Sequence, residues 1–337
     1  MKKILAIETS CDDTAAAVFD GNLELSSVVH SQIEQHNQFG GVVPEIASRN
    51  HTMALPSVVE RALQQANLSF SQIDYIACTF GAGLQGALLA GLSYAKALAY
   101  SLKIPFLPIN HIQSHIAVNF LDTKPPFLCL VVSGGHTSVV KVLDYLTFEI
   151  LDSTVDDSIG ECFDKVARAL GLGYPGGPIV ERYSKKGEPK INFFKKANAA
   201  NMGLSFSGLK TATINYIRQL DEQQLKLQTC DICASFSKIA IDIVSSAATK
   251  LVEMHNLDTI ALAGGVAANL ELQSALRHAV KCKNIKVKVP QFKYCTDNAA
   301  MVAICAYYQY VSLGTKIDLE QYLTVNANSG LTISQGF

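Results

Sequence analysis

The 337-residue sequence carries almost no excess charge: 28 Lys and Arg stand against 29 Asp and Glu, a net charge of −1. That balance excludes a global cationic field that would gather nucleic acid onto the surface unaided. RNA contact then falls to a partner or to local patches: Lys185-Lys186, Lys195-Lys196 and the run Lys281–Lys288. Such clusters are more often plain solvated faces. The nine cysteines are scattered without a framework and their number is odd, so no disulfide framework is expected and a reducing, cytoplasmic compartment fits. Cys230-Asp-Ile-Cys233 lacks the second pair that would complete a zinc site and reads as structural. A secretory leader is not expected, because Glu8 ends the apolar stretch Ile4–Ile7 too early. Nor is a membrane span. The uncharged stretch Tyr75–Ala95 is long enough, but its four glycines, Gln85 and strand-like opening read as strand, glycine loop and buried helix.

Two further absences remove whole enzyme classes. Gly81-Ala-Gly-Leu-Gln-Gly86 matches the dinucleotide-binding pattern, which also needs an acid about 20 residues on to hold a ribose. No Asp or Glu occurs between Asp74 and Asp122, so a dehydrogenase is disfavoured and the glycines are assigned to close packing or to lining a cleft. His111-Ile-Gln-Ser-His115 lacks the Glu that a zinc peptidase places beside its first histidine.

What is present is an ordinary folding composition, 49% hydrophobic and 17% charged, too apolar for a disordered chain. Strand-like runs at Ile4–Ile7, Leu128–Val132, Val139–Val142 and Thr259–Ala263 alternate with helical patterns at Ala54–Ala66, Gly86–Leu102, Phe236–His255 and Asn298–Leu313. The alternation predicts an α/β protein, and the length predicts two domains. Lys3–Asp20 and Phe127–Asp144 share one pattern: apolar strand, small polar or glycine turn, second strand ending in Asp. This repeat predicts two related lobes, each opening with a hairpin.

Tight turns of this kind offer successive backbone N–H groups to an anion. Val131-Val-Ser-Gly-Gly-His-Thr137 is the stronger phosphate candidate and Glu8-Thr-Ser-Cys-Asp-Asp-Thr14 the weaker. A third glycine loop, Leu262-Ala-Gly-Gly-Val-Ala-Ala-Asn269, follows a strand and opens a helix, where a nucleotide can lie against backbone. Gly176-Gly177 is a further place of this kind, with Asp164 and Glu181 as candidates for ribose hydroxyls or as ordinary surface acids. His111 and His115 share one helix face and can bind a single ion. Asp297, where a helix begins, is either a third ligand or a plain helix cap. Two histidines and one carboxylate suit iron(II), with zinc as the alternative.

Taken in order, these segments resemble one family, the TsaD (Gcp) tRNA N6-adenosine threonylcarbamoyltransferases. The resemblance rests on Ile7-Glu-Thr-Ser-Cys-Asp12, Gly40-Gly-Val-Val-Pro-Glu45, Ala47-Ser-Arg49 with His51, His111 and His115, and Val132-Ser-Gly-Gly-His-Thr137. It continues through Gly160-Glu161, Phe163-Asp-Lys165, Tyr174-Pro-Gly-Gly-Pro178, Ser205-Phe-Ser-Gly-Leu-Lys210, Ala263-Gly-Gly-Val266 with Asn269, and Cys295-Thr-Asp-Asn298.

The resemblance implies an actin-like, sugar-kinase-like (ASKHA) fold of two RNase H-like α/β lobes around a nucleotide cleft. The expected lobes are 1–125, with 305–337 packing back on it, and 126–304. It implies one Fe(2+) per subunit, or Zn(2+), on His111, His115 and Asp297. It places nucleotide and substrate contacts (threonylcarbamoyl-AMP, ATP, ADP or AMP) at Val131, Val132, Ser133, Gly134, Gly135, Asp164, Gly177, Glu181 and Asn269. The implied reaction moves a threonylcarbamoyl group from threonylcarbamoyl-AMP to N6 of adenosine 37 in tRNAs reading ANN codons. The implied partners are tRNA, a TsaB-like paralogue, a TsaE-like P-loop ATPase and the synthase that makes the donor. Asp12 is the candidate for orienting or deprotonating the amine, and His136 the second. A small-molecule kinase and a non-catalytic nucleotide-binding scaffold are the other readings of such a fold. Asn50, Ala82, Gln113 and Ser114 depart from the usual Asp, Pro, Glu and Gly of the family.

Overall fold

The computed structural model describes residues 2–21, 23–193, 203–315 and 322–335; Lys195-Lys196 lie outside them. The chain divides into two compact units, one of Met1–Thr123, Asp144–Phe148 and Gln291–Phe337, the other of Lys124–Leu143 and Glu149–Pro290.

The first unit opens with the meander β1 (Ile4–Glu8), β2 (Asp13–Phe19) and β3 (Glu24–Ser31). The chain continues through helices α1 (Ile33–Asn37) and α2 (Pro44–Gln65), strand β4 (Tyr75–Gly81), helix α3 (Gln85–Leu102), strand β5 (Phe106–Asn110) and the short helix α4 (His111–Ala117). The sheet order is β3-β2-β1-β4-β5. β1 runs antiparallel to β2 and parallel to β4, and β4 runs parallel to β5. β1 and β5 are buried at every residue, as strands covered on both faces should be. The uncharged stretch Tyr75–Ala95 therefore resolves into β4, a loop and the first part of α3. Helix α2 starts at Pro44 rather than Ala54: Pro44 occupies the first turn, where its fixed φ is favourable, and Pro56 is accommodated inside the helix.

The second unit repeats the plan. Strands β6 (Phe127–Val132), β7 (Thr137–Val142) and β8 (Phe148–Ser153) precede helices α5 (Ile159–Ala169), α6 (Gly176–Ser184), α7 (Ser207–Ile217) and α8 (Glu222–Met254). Strand β9 (Thr259–Ala263), helix α9 (Leu270–Ala279) and strand β10 (Lys286–Lys288) complete it. The sheet order β10-β9-β6-β7-β8 matches that of the first unit strand for strand, with β6 antiparallel to β7 and parallel to β9. The repeat read in the sequence is thus a repeat of topology.

Helix α8 begins at Glu222 rather than Phe236 because Asp221 and Gln224 form a reciprocal capping box. By length and composition it could cross a bilayer, but 72% of its most apolar window is buried inside the protein. Cys230 and Cys233 lie within it as free thiols. The chain returns to the first unit with α10 (Ala299–Ala306), which packs on β1, β2 and α4, and ends in a wider π-turn at Tyr307–Val311.

The segment Ser205–Lys210 acts as a clasp. Ser205 Oγ and the Phe206 N–H donate to Asp156, at 2.5 and 2.9 Å. Ser207 Oγ donates to Asp157 at 2.6 Å, and Lys210 and Lys165 both pair with that same carboxylate. Burial works to raise the Asp157 carboxyl, but hydrogen bonds from Lys165, Lys210 and Ser207 outweigh it and hold the group well below the usual range. A folded-state value below the unfolded one adds stability that is fully present above pH about 4 and lost as pH falls through the folded value. Replacing Asp157 by Ala is expected to cost about 1–3 kcal/mol at neutral pH. Thermal melts of both proteins at pH 7 and pH 3 check this: the gap must narrow at the lower pH.

Candidate metal centre and phosphate turn

Strand β5 ends at Asn110, whose side chain accepts from the N–H groups of Ile112 and Gln113 and so starts α4. His111 and His115 then project from one face of that helix, ring centroids 4.7 Å apart. Asp297 meets them from the loop before α10. The cap of α10 is Asn298, which accepts from the Met301 N–H at 2.9 Å, so Asp297 precedes the cap and its carboxylate turns to the histidines. His115 Nε2 lies 3.1 Å and His111 Nε2 3.7 Å from Asp297 Oδ1. The three potential donor atoms lie within 4.8 Å of one another, and both histidines are buried. His115 Nδ1 is buried without a partner. Two imidazole nitrogens and a carboxylate oxygen converging in this way fit a divalent transition metal such as Fe(II) or Zn(II).

Glu8 belongs to this site, although its place in the sequence suggests only a turn suited to phosphate. Its side chain is wholly buried at the end of β1 and accepts from Thr79 Oγ1 at 2.5 Å and from the Ser10 N–H at 2.6 Å. That Ser10 amide is therefore engaged within the protein. Glu8 Oε2 also lies 3.2 Å from His111 Nδ1, which fixes the ring and leaves Nε2 toward Asp297. A carboxylate behind a ligating histidine is the usual outer support of such a site. The one signal in the sequence is a lone acid closing an otherwise apolar strand.

Burial opposes a charge on His111, but Glu8 and Asp297 outweigh it and raise its pKa to about 9. Burial likewise works against ionised Glu8, and the facing His111 keeps that carboxyl below its ordinary value. Asp12 is raised chiefly by burial, with a hydrogen bond from Cys11 opposing and the charge of Asp297 adding. Asp13 is raised to about 7, again chiefly by burial; its bond with Ser31 opposes, while Asp297, Asp12 and Glu8 add to the shift. Asp12 Oδ2 and Asp13 Oδ1 are buried and lack partners. The mutual repulsion of these carboxylates is what a bound cation would relieve.

In the second unit, the Ser133 N–H donates to His136 O at 2.8 Å and the His136 N–H to Ser133 Oγ at 3.0 Å, closing the turn between β6 and β7. Val131 and Val132 are buried strand residues beneath it. Gly134 and Gly135 are exposed, and a Cβ on either would meet no atom within 4 Å. Gly160 is different: its Cβ would fall 2.5 Å from Ser133 O, so the start of α5 packs directly under the turn. Of the expected nucleotide contacts, Asp164 accepts from the Gly176 N–H, Glu181 accepts from the Leu270 N–H and pairs with Lys185, and Asn269 caps α9. These side chains join α5, α6 and α9. Gly177 keeps an open face. The Gly81–Gly86 loop is packed rather than open: a Cβ on Gly83 would strike Ser10 O at 2.5 Å.

A family model for TsaD, tRNA N6-adenosine threonylcarbamoyltransferase, matches residues 24–304. A tRNA N6-adenosine threonylcarbamoyltransferase of Clostridium novyi (strain NT) is 50% identical, covering 92% of this chain and 93% of its own. One from Clostridium perfringens (strain SM101 / Type A) is 51% identical over 91% and 93%. Among solved structures, Acidaminococcus fermentans (R)-2-hydroxyglutaryl-CoA dehydratase component A superposes with a TM-score of 0.54 at 13% identity, over 91% of this chain and 98% of that one. HypF of T. kodakarensis gives 0.60 at 15% identity, over 95% of this chain and 48% of its own. At such identities these last two share the fold alone, which is the actin-like, sugar-kinase-like one. With its matched residues spanning most of the length and its relatives half identical, the chain belongs to the TsaD family of tRNA N6-adenosine threonylcarbamoyltransferases and is a transferase.

Proposed function

We propose that this protein transfers the threonylcarbamoyl group of threonylcarbamoyl-AMP to N6 of adenosine 37 in tRNAs reading ANN codons, with a divalent metal held by His111, His115 and Asp297. The observation that carries the metal dependence is the convergence of both Nε2 atoms on Asp297 Oδ1. Family membership supports the substrates. It also supports the accompanying TsaB-like paralogue, the TsaE-like ATPase and the separate synthase that supplies the donor. Fe(2+) is the expected ion and Zn(2+) the alternative; either, when bound, supplies Lewis-acid polarisation of the donor carbonyl.

In the reaction the adenine N6 forms a bond to the carbamoyl carbon, the bond from that carbon to the phosphate oxygen breaks, and AMP leaves. An aromatic amine is a poor nucleophile and must lose a proton as it attacks. Asp12 is suited to take that proton, because it is buried, its Oδ2 is unpartnered, and its carboxyl is raised above the ordinary value. The main chain of Gly134 and Gly135 offers N–H donors on an open face for the leaving phosphate, where charge develops, and Ser133 closes the turn that presents them. His136, at the end of the same turn, is the second candidate for handling a proton. Val131, Val132, Asp164, Gly177, Glu181 and Asn269 frame the nucleotide in this reading.

The direct test is transfer. Incubated with threonylcarbamoyl-AMP, unmodified tRNA and the partner proteins, wild type is expected to yield modified adenosine by mass spectrometry, and His111→Ala to lose it at least about 100-fold. Absence of product from wild type with a full partner set and added iron or zinc overturns the reading. Asp12→Asn is expected to slow single-turnover transfer by about 10²–10⁴; a near-normal rate removes Asp12 from the mechanism. Metal uptake should also depend on pH. In the metal-free protein His111 holds a proton up to pH about 9, and a ligating imidazole must be neutral, so below that pH affinity should fall about tenfold per unit. Zinc competition titrations at pH 7 and pH 8 measure this, and equal affinities would show that His111 holds no such proton.

A further inference from the structure

Helix α4 carries both histidines on only seven residues, too few to hold an orientation without outside support. That support comes from the C-terminal segment. Asn110 commits its carbonyl oxygen to the helix cap, and its Nδ2 donates to Thr332 O at 2.8 Å and to Gln335 O at 2.9 Å. Gln113, on the other side of His111, donates from Nε2 to Ile333 O at 2.7 Å and accepts from Gln309 Nε2 at 2.8 Å. Asn110 and Gln113 are both buried, at 2% and 3% exposure. Three side-chain N–H groups bracketing His111 are thus committed to three backbone carbonyls of one short segment. The segment is itself anchored. Leu331 and Ile333 are buried, the Asn328 N–H donates to Phe80 O in β4 at 2.8 Å, and Gln85 reaches Ala327 O.

The residue type at position 110 is informative. Ser, Thr or Asp would cap α4 as well as Asn does. None of them carries the NH2 group that meets two carbonyls at once. An Asp there would keep the cap and set a carboxylate against two carbonyl oxygens. We propose that the segment Thr332–Gln335 is a positioning clamp for the metal centre: its carbonyls, read by Asn110 and Gln113, hold α4 at the place where His111 and His115 face Asp297. Metal sites tolerate little displacement of their ligands, and losing outer support of this kind typically weakens binding 10–100-fold.

The clamp rests on the metal reading above, and one set of cobalt(II) titrations separates the two. Metal-free full-length protein is titrated with Co(II), following its visible absorption, beside Asn110→Asp, a chain truncated after Gly330, their combination, Gln85→Ala and His115→Ala; thermal melts accompany each. Asn110→Asp and the truncation are each expected to weaken Co(II) binding about 10–100-fold and to alter the band shape. Their combination should be no weaker than the truncation alone, because the truncation already removes the carbonyls that Asn110 meets. Gln85→Ala loosens the same segment away from α4 and is expected to bind Co(II) as wild type does. Wild-type affinity and spectrum in Asn110→Asp overturn the clamp, even if the truncated chain fails to fold. Equal weakening in Gln85→Ala also overturns it, since the effect would then be general loosening. Failure of wild type to bind Co(II), or unchanged binding in His115→Ala, removes the metal reading and the clamp with it.

Discussion

A carboxylate cannot be buried without partners for its charge and lone pairs, and Glu8 is buried completely. Its partners come from three different places: the Ser10 amide in the turn after β1, Thr79 on β4, and His111 at the start of α4. Satisfying this one group therefore fixes the turn, the parallel neighbour and the helix relative to one another. It also settles how His111 is used. With Nδ1 held by Glu8, Nε2 is the nitrogen left for Asp297, and the two carboxylates stand on opposite sides of one imidazole. Most of what distinguishes the first unit follows from that arrangement.

The two units share a strand plan and differ in what they place at the first hairpin. Between β1 and β2 the turn bears side chains: Glu8 folds back on its own backbone, and Asp12 and Asp13 each bury one oxygen without a partner. Between β6 and β7 the turn bears almost none, and Gly134 and Gly135 present bare main chain. One architecture thus yields a site rich in negative oxygen, suited to a cation, and a site of backbone N–H groups, suited to an anion.

Much of this is legible in the residues. The paired pattern of Lys3–Asp20 and Phe127–Asp144 anticipates two sheets of one order, because hairpin strands with a buried face reveal themselves by apolar runs around a polar turn. The spacing of His111 and His115 anticipates a shared helix face. The role of Glu8 is not legible, since its partners Thr79 and His111 are distant in sequence and only the fold brings them near. Strands β3, β5, β8 and β10 also escape a reading by pattern. β5 is five residues with Pro108 inside, and β10 reads locally as a lysine cluster rather than a strand. The long start of α2 is hidden by Pro56, whose usual meaning inside a helix is a break. Asp164, Glu181 and Asn269 carry the opposite lesson: residues that look like ligand contacts are also the bonds joining α5, α6 and α9.

Two of the departures from the usual family residues, Asn50 and Gln113, are matched locally by complementary amides. Asn50 can donate where an Asp could only accept, and it finds acceptors in the side-chain oxygens of Gln32 and Gln35, at 2.9 and 2.5 Å. The Gln32 backbone N–H in turn donates to Asp12 O at 3.1 Å, so this amide network reaches the turn that holds the proposed base. Gln113 behaves likewise. Its Nε2 donates to Ile333 O while its Oε1 accepts from Gln309, a chain of neutral groups that satisfies both partners without adding charge beside helix α4. A Glu at 113 could accept from Gln309 but would face Ile333 O with a second acceptor, so it would need a proton or a different course for the C-terminal segment. Ser114 closes the same helix by donating to His111 O at 2.6 Å. In the first unit, then, the exchange of carboxylates for amides is answered by the partners present, and the charge that remains is concentrated on Glu8, Asp12, Asp13 and Asp297.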